Sequence, residues 1–126
     1  MNFSDYIYVD DYCFSKFDEI KENMEKRKKI ITDPFFVIIL NEYTSKLEFC
    51  DWMFLLQRHY KNNPPLIVGL AKDYDSAEEL TCHMIENCLI KVKSLDYIAY
   101  LASLPEIEEG TELPKMLKIS GGKMYA

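Results

Sequence analysis

Leu66-Ile67-Val68-Gly69-Leu70-Ala71 is followed by Lys72-Asp73-Tyr74-Asp75 and then by Ser76 to Val92. The reading of these three pieces decides the fold. The first is short and apolar, with Pro64-Pro65 before it and charges after it, the pattern of a buried strand. The third opens with Ser76 and Glu79 at capping-box spacing. Ala77, Leu80, Met84 and Cys88 then share one helical face, which Ile85, Leu89 and Val92 widen. A strand, a short loop and a helix therefore follow one another. The fold class this predicts is α+β, with three or four helices packed on a minimal β-sheet. An all-α fold is the alternative if both short apolar runs of the chain are helical.

The segments on either side extend this reading. Ser94 to Leu101 predicts a short helix closed by Pro105. Ser45 to Lys61 predicts a longer one. Ser45 and Glu48 form a capping box, and Phe49, Trp52, Met53, Leu56 and Tyr60 fall on one stripe. Asn62-Asn63-Pro64-Pro65 ends it. Asp33-Pro34 looks like a helix start, yet Phe35-Phe36-Val37-Ile38-Ile39-Leu40 is a run that suits a buried strand as well as a short buried helix. Either way it is core. Residues 15–31 predict an amphipathic helix, with Ser15 as N-cap and Phe17, Ile20, Met24 and Ile31 facing inward. Its acids come early and Lys26-Arg27-Lys28-Lys29 come late, which suits the helix dipole. Residues 5–12 alternate as a strand does, and suit a partner-ordered arm equally.

The chain has 126 residues, enough for one domain and too few for two independent cores. Residues 1–105 are expected to form it. Residues 106–126 read as a C-terminal arm, acidic at first and weakly basic at its end, dispensable for folding and available for association. Lys plus Arg number 15 and Asp plus Glu 21, a formal net charge of -6. That balance opposes direct nucleic-acid binding, and the 26–29 cluster alone offers too few phosphate contacts. The longest apolar run is far short of a membrane span, so no membrane partner is expected. The acidic N-terminus has no signal-peptide pattern, and Cys13, Cys50, Cys82 and Cys88 read as reduced thiols. The expected address is the cytoplasm. Frequent Lys, Ile, Asn and Tyr suit a bacterial or phage genome.

Chemistry-bearing patterns are scarce. Gly69 alone does not make a dinucleotide fingerprint, and no Walker pattern occurs. A calcium loop from Asp73 would need Gly and Glu where Glu78 and Met84 stand. Cys82, His83 and Cys88 lack zinc spacing. Any Cys–His dyad must be cross-element, for example Cys13 or Cys50 with His83, and nothing selects one pair. No catalytic residue, metal or cofactor is assigned, and the chain leans away from enzymes.

The expected function is that of a small interaction or regulatory module that acts by binding another protein or itself, with a homodimer the expected oligomer. Tyr6, Tyr8, Glu106, Glu108, Glu109 and Glu112 are its candidate contact residues. The alternative is a small-ligand sensor whose pocket lies at the carboxyl end of the 66–71 strand, lined by Asp73, Tyr74 and Asp75. A third reading, from the acids of 106–112, is a decoy that inhibits a nucleic-acid enzyme of a mobile element.

Overall fold

The computed structural model describes residues 1–26, 35–120 and 123–124. It is an α+β fold built on one mixed sheet. In chain order the strands are β1 (Asn2–Val9), β2 (Phe36–Asn41), β3 (Lys46–Asp51), β4 (Leu66–Ala71), β5 (Lys115–Ser120) and the two-residue β6 (Lys123–Met124). Their spatial order is β3-β2-β4-β1-β5-β6. β1 runs parallel to both β4 and β5, whereas β2 is antiparallel to β3 and β4.

Helices cover both faces. α1 (Asp11–Ser15) and α2 (Phe17–Glu25) lie on one side. With a 3-10 turn at Trp52–Leu56, they enclose a core that includes Ile7, Met24, Val37, Trp52 and Leu55. α4 (Tyr74–Val92) and α5 (Tyr97–Ser103) cover the other face, over Tyr8, Ile38, Val68, Leu80 and Met84. α3 (Arg58–Asn62) is a short connector ahead of β4. The α+β expectation holds, with a larger sheet than the minimal one foreseen, and the all-α alternative falls.

Double coverage explains why 35–40 is so uniformly apolar. Val37 and Ile39 face one core while Ile38 and Leu40 face the other. A strand buried on both sides has no polar alternation to show. The Asp-Pro start of a helix read at 33–34 lies outside the described residues.

The predicted helix over 45–61 is corrected. Asn41 accepts hydrogen bonds from the Tyr43 and Thr44 amides through its side chain, closing a turn. Ser45 sits at φ 59, in the left-handed region. β3 then pairs with β2 along its whole length, from Asn41↔Lys46 to Phe36↔Asp51. Leu47 and Phe49 pack on the α4 side of the sheet, a period of two that the helical stripe masked. Only from Asp51 does the chain wind, with that carboxylate capping the Met53 amide at 2.9 Å.

Two helix starts also move. The 15–31 helix is split: Asp10 caps α1, and α2 begins after Lys16 with no side-chain cap. Lys26 ends it, and Arg27 to Lys29 lie outside the described residues. α4 is capped by Asp73 rather than Ser76, through Asp73 Oδ1 and the Ser76 amide at 2.8 Å. Gly69 is required by close approach, since a Cβ there would lie 2.8 Å from Ile38 Cδ1 and 3.1 Å from Ile38 Cβ.

Residues 115–120, expected in a dispensable arm, run instead as β5 beside β1, in register from Tyr6↔Lys115 to Val9↔Lys118. Met116 packs against one core and Leu117 against the other. A chain ending at Pro114 is therefore expected to lose roughly 2 kcal/mol or more of stability, from two half-buried apolar side chains and one strand ladder. Urea unfolding reads this directly, and an unchanged midpoint would contradict it.

Candidate functional site

At the carboxyl end of β4, where the sequence predicts a ligand pocket lined by Asp73, Tyr74 and Asp75, the structure places capping carboxylates. Asp73 accepts from the Ser76 amide, and exposed Asp75 lies in the first turn of α4. The Tyr74 ring packs edge-on against Phe36 and Phe49, with centroids 6.0 and 5.3 Å away. Beside them Asp10 accepts from the Cys13 amide with one oxygen and from the Lys72 amide with the other, both at 2.8 Å. That carboxylate stitches the end of β1 to the end of β4. Among the described residues no group of three or more His, Cys, Asp and Glu side chains could hold a metal ion.

A groove forms at the opposite end of β1. β5 begins at Lys115, opposite Tyr6, so the first residues of β1 run past it. The loop after α5 stands alongside that stretch, which pairs with β4 on its other side. Together they enclose about 760 Å³, between Ser4, Asp5 and Tyr6 on one side and Leu101 to Gly110 on the other, with Thr111 and Leu113 closing it. The Tyr6 hydroxyl donates to the Pro105 carbonyl at 2.7 Å and pins the loop. Gly110, at φ +88, turns the chain back, and the Thr111 amide donates to the Glu108 carbonyl at 3.1 Å.

Four of the six predicted contact residues meet here: Tyr6, Glu106, Glu108 and Glu109. Asp5 joins them, a residue that sequence reasoning did not select. The apolar floor comes from Leu101, Leu104, Pro105, Ile107 and Leu113. Among the described residues none of the carboxylates of Asp5, Glu106, Glu108 and Glu109 is in an ion pair. The nearby Lys115 ammonium sits 5.8 Å from the centre of the Tyr6 ring. Glu112 lies apart, in a separate cleft with Phe14, Phe17 and Lys115.

Tyr8 is not at the surface. Its side chain is buried beneath α4 and α5, its hydroxyl 2.5 Å from that of Tyr100 and receiving a hydrogen bond from Asn87 Nδ2 at 3.2 Å. Tyr97 lies beside this pair, and burial pushes its phenol pKa up. Its hydroxyl has no hydrogen-bond partner among the described residues. Tyr97 also lines an apolar cavity of about 240 Å³, with Ser45, Leu47, Ile85, Cys88 and Leu95 among its walls.

The rim of that cavity is held by a polar clasp. Ser45 Oγ donates to Asp96 Oδ1 at 2.6 Å and accepts from the Ile98 amide at 3.1 Å. The Ser45 hydroxyl, with the Ala99 amide, holds the Asp96 carboxyl below the usual aspartate range. A carboxyl whose folded pKa is lowered contributes stability above its unfolded value, about 4, and loses it as the pH falls through the lowered one. Ser45→Ala is expected to move the Asp96 pKa back up, measurable by carbon-detected NMR titration. A titration unaffected by the substitution would refute the clasp.

Three of the four thiols, Cys13, Cys50 and Cys88, are pushed upward in pKa. Burial, reinforced by Asp10, pushes the Cys13 pKa up. Burial and the charges of Asp51 and Glu48 push Cys50 up to about 11. Burial also raises Cys88, whose Sγ donates to the Ser94 carbonyl at 3.2 Å. His83 lies between Glu79 and Glu86, at 3.9 and 3.8 Å. Cys82 is exposed. With a chromogenic disulfide reagent at pH 8, one thiol per chain is expected to react fast, and Cys82→Ser should remove that phase. Fast modification of Cys13 or Cys50 would show that their burial is misread.

Comparison with protein families, curated proteins and solved structures finds no match for this chain.

Proposed function

We propose that this protein is a binding module that holds a basic, partly apolar segment of another protein in the groove between β1 and the loop after α5. One observation carries the reading: four carboxylates, those of Asp5, Glu106, Glu108 and Glu109, with no ion pair among the described residues, border a single apolar-floored groove of about 760 Å³. An apolar floor supplies binding area, while unpaired charge on the rim selects a partner of opposite sign and speeds encounter. The formal net charge of -6 adds a long-range field of the same sign. The reading is of recognition without catalysis, in the cytoplasm. Four cysteines left free of disulfides support that compartment. Among the described residues no helix is long and apolar enough to cross a membrane.

The test is fluorescence anisotropy with a labelled peptide of alternating Lys or Arg and Leu. Binding to the intact protein is expected to weaken as salt rises. Glu106→Lys with Glu109→Lys should raise Kd by about tenfold or more, about 1.4 kcal/mol. Glu48→Lys, on β3 away from the groove, should change it little. A peptide that ignores the intact protein, or that binds the groove variant equally well, overturns the proposal.

A further inference from the structure

The apolar cavity beside Tyr97 shares no residue with the groove. It lies on the α4 side of the sheet, where Leu47 of β3, Ile85 and Cys88 of α4, and Leu95 and Tyr97 at the turn into α5 converge. Leu47, Ile85, Leu95 and the Tyr97 ring supply most of its wall. A hollow of apolar wall left against water is costly, and it is the common form of a small-molecule site.

The polar groups around the cavity say what fits it, because each is already spent. Ser45 Oγ donates to Asp96 Oδ1 and accepts from the Ile98 amide. The same Asp96 oxygen accepts from the Ala99 amide. Cys88 Sγ donates to the Ser94 carbonyl. The Tyr97 hydroxyl is sealed from solvent, so Tyr97 offers the cavity its ring alone. Lys46 also borders the space, but it alternates with Leu47 along β3, which sends its side chain toward the other face of the sheet. A buried water makes about three hydrogen bonds, and a charged guest needs still more compensation. Neither is provided for here. An apolar cavity of about 150 Å³ stays dry and takes up benzene. This one, at about 240 Å³, has room for a ring with a short substituent.

We propose that the cavity is a binding site for a small neutral apolar molecule, about the size of toluene, held against the Tyr97 ring between Leu47, Ile85 and Leu95. The Ser45–Asp96 clasp preorganises it. Ser45 precedes β3 and bonds to the cap and first turn of α5, so two walls keep their spacing before a ligand arrives. The site is independent of the peptide groove, and neither reading depends on the other.

Methyl NMR of the full chain, titrated with toluene, tests this. The Leu47, Ile85 and Leu95 methyls are expected to shift and saturate together. Ile90, exposed on the same helix away from the cavity, should stay where it is. Benzoate and benzylammonium carry the same ring with a charge, and each should bind about tenfold more weakly or worse. Ile85→Trp fills the space and should abolish the toluene shifts at Leu47 and Leu95, with an unchanged far-ultraviolet spectrum. If that variant fails to fold, the three probes on the natural chain decide. Methyls that ignore toluene up to its solubility overturn the proposal. So do shifts that reach Ile90 equally, a charged probe that binds as well as toluene, or a folded Ile85→Trp chain that still binds.

Discussion

β1 is flanked by β4 and β5 and covered by helices on both faces, and most of the structure follows from that burial. A strand in this position must satisfy every backbone group by pairing and every side chain by packing. β1 meets the first demand with two parallel neighbours. It meets the second by sending Ile7 and Val9 to one core and Tyr8 to the other. Parallel neighbours require crossovers, so the connection from β4 to β5 carries α4 and α5 over one face. The connection out of β1 carries α1 and α2 over the opposite one. Where β1 and β4 end, the Asp10 carboxylate bonds to amides of Cys13 and Lys72 and locks the two exits together.

The parts legible in the sequence are those whose neighbours are close along the chain. Leu66 to Ala71 and the helix to Val92 are local elements with strong punctuation, and both form as the pattern predicts, the helix starting two residues early behind its Asp73 cap. Ser45 to Lys61 shows the limit of such reading. Its residues satisfy a helical stripe, yet β2 offers β3 a full ladder and Asp96 takes the Ser45 hydroxyl that a helix cap would need. A local preference of a few tenths of a kcal/mol per residue yields to tertiary pairing. β5 was hidden for another reason. Only Met116, Leu117 and Ile119 mark it as apolar, and its partner lies more than a hundred residues upstream.

The groove was half legible for the same reason. Glu106, Glu108 and Glu109 announce themselves as a charged run. That Asp5 and Tyr6 face them depends on β1–β5 pairing, a contact between the two ends of the chain. Tyr6 and Tyr8 looked alike in the sequence because both precede an aliphatic residue in an alternating strand. Their fates differ because of length. β5 and α5 reach over Tyr8, while Tyr6 sits where β5 starts, at the margin, and spends its hydroxyl on the Pro105 carbonyl.

Buried polarity in this protein is concentrated under α4 and α5. Tyr8, Tyr100 and Asn87 satisfy one another there, and a connected set of this kind favours one packing of helix on sheet over its neighbours. The rigidity matters outward as well as inward. A helix fixed in rotation by partners on its inner side presents a fixed stripe on its outer side. For α4 the residues on that side include Asp75, Glu79, Cys82, Glu86 and Lys93, all exposed. The inner face of α4 is thereby set by the fold.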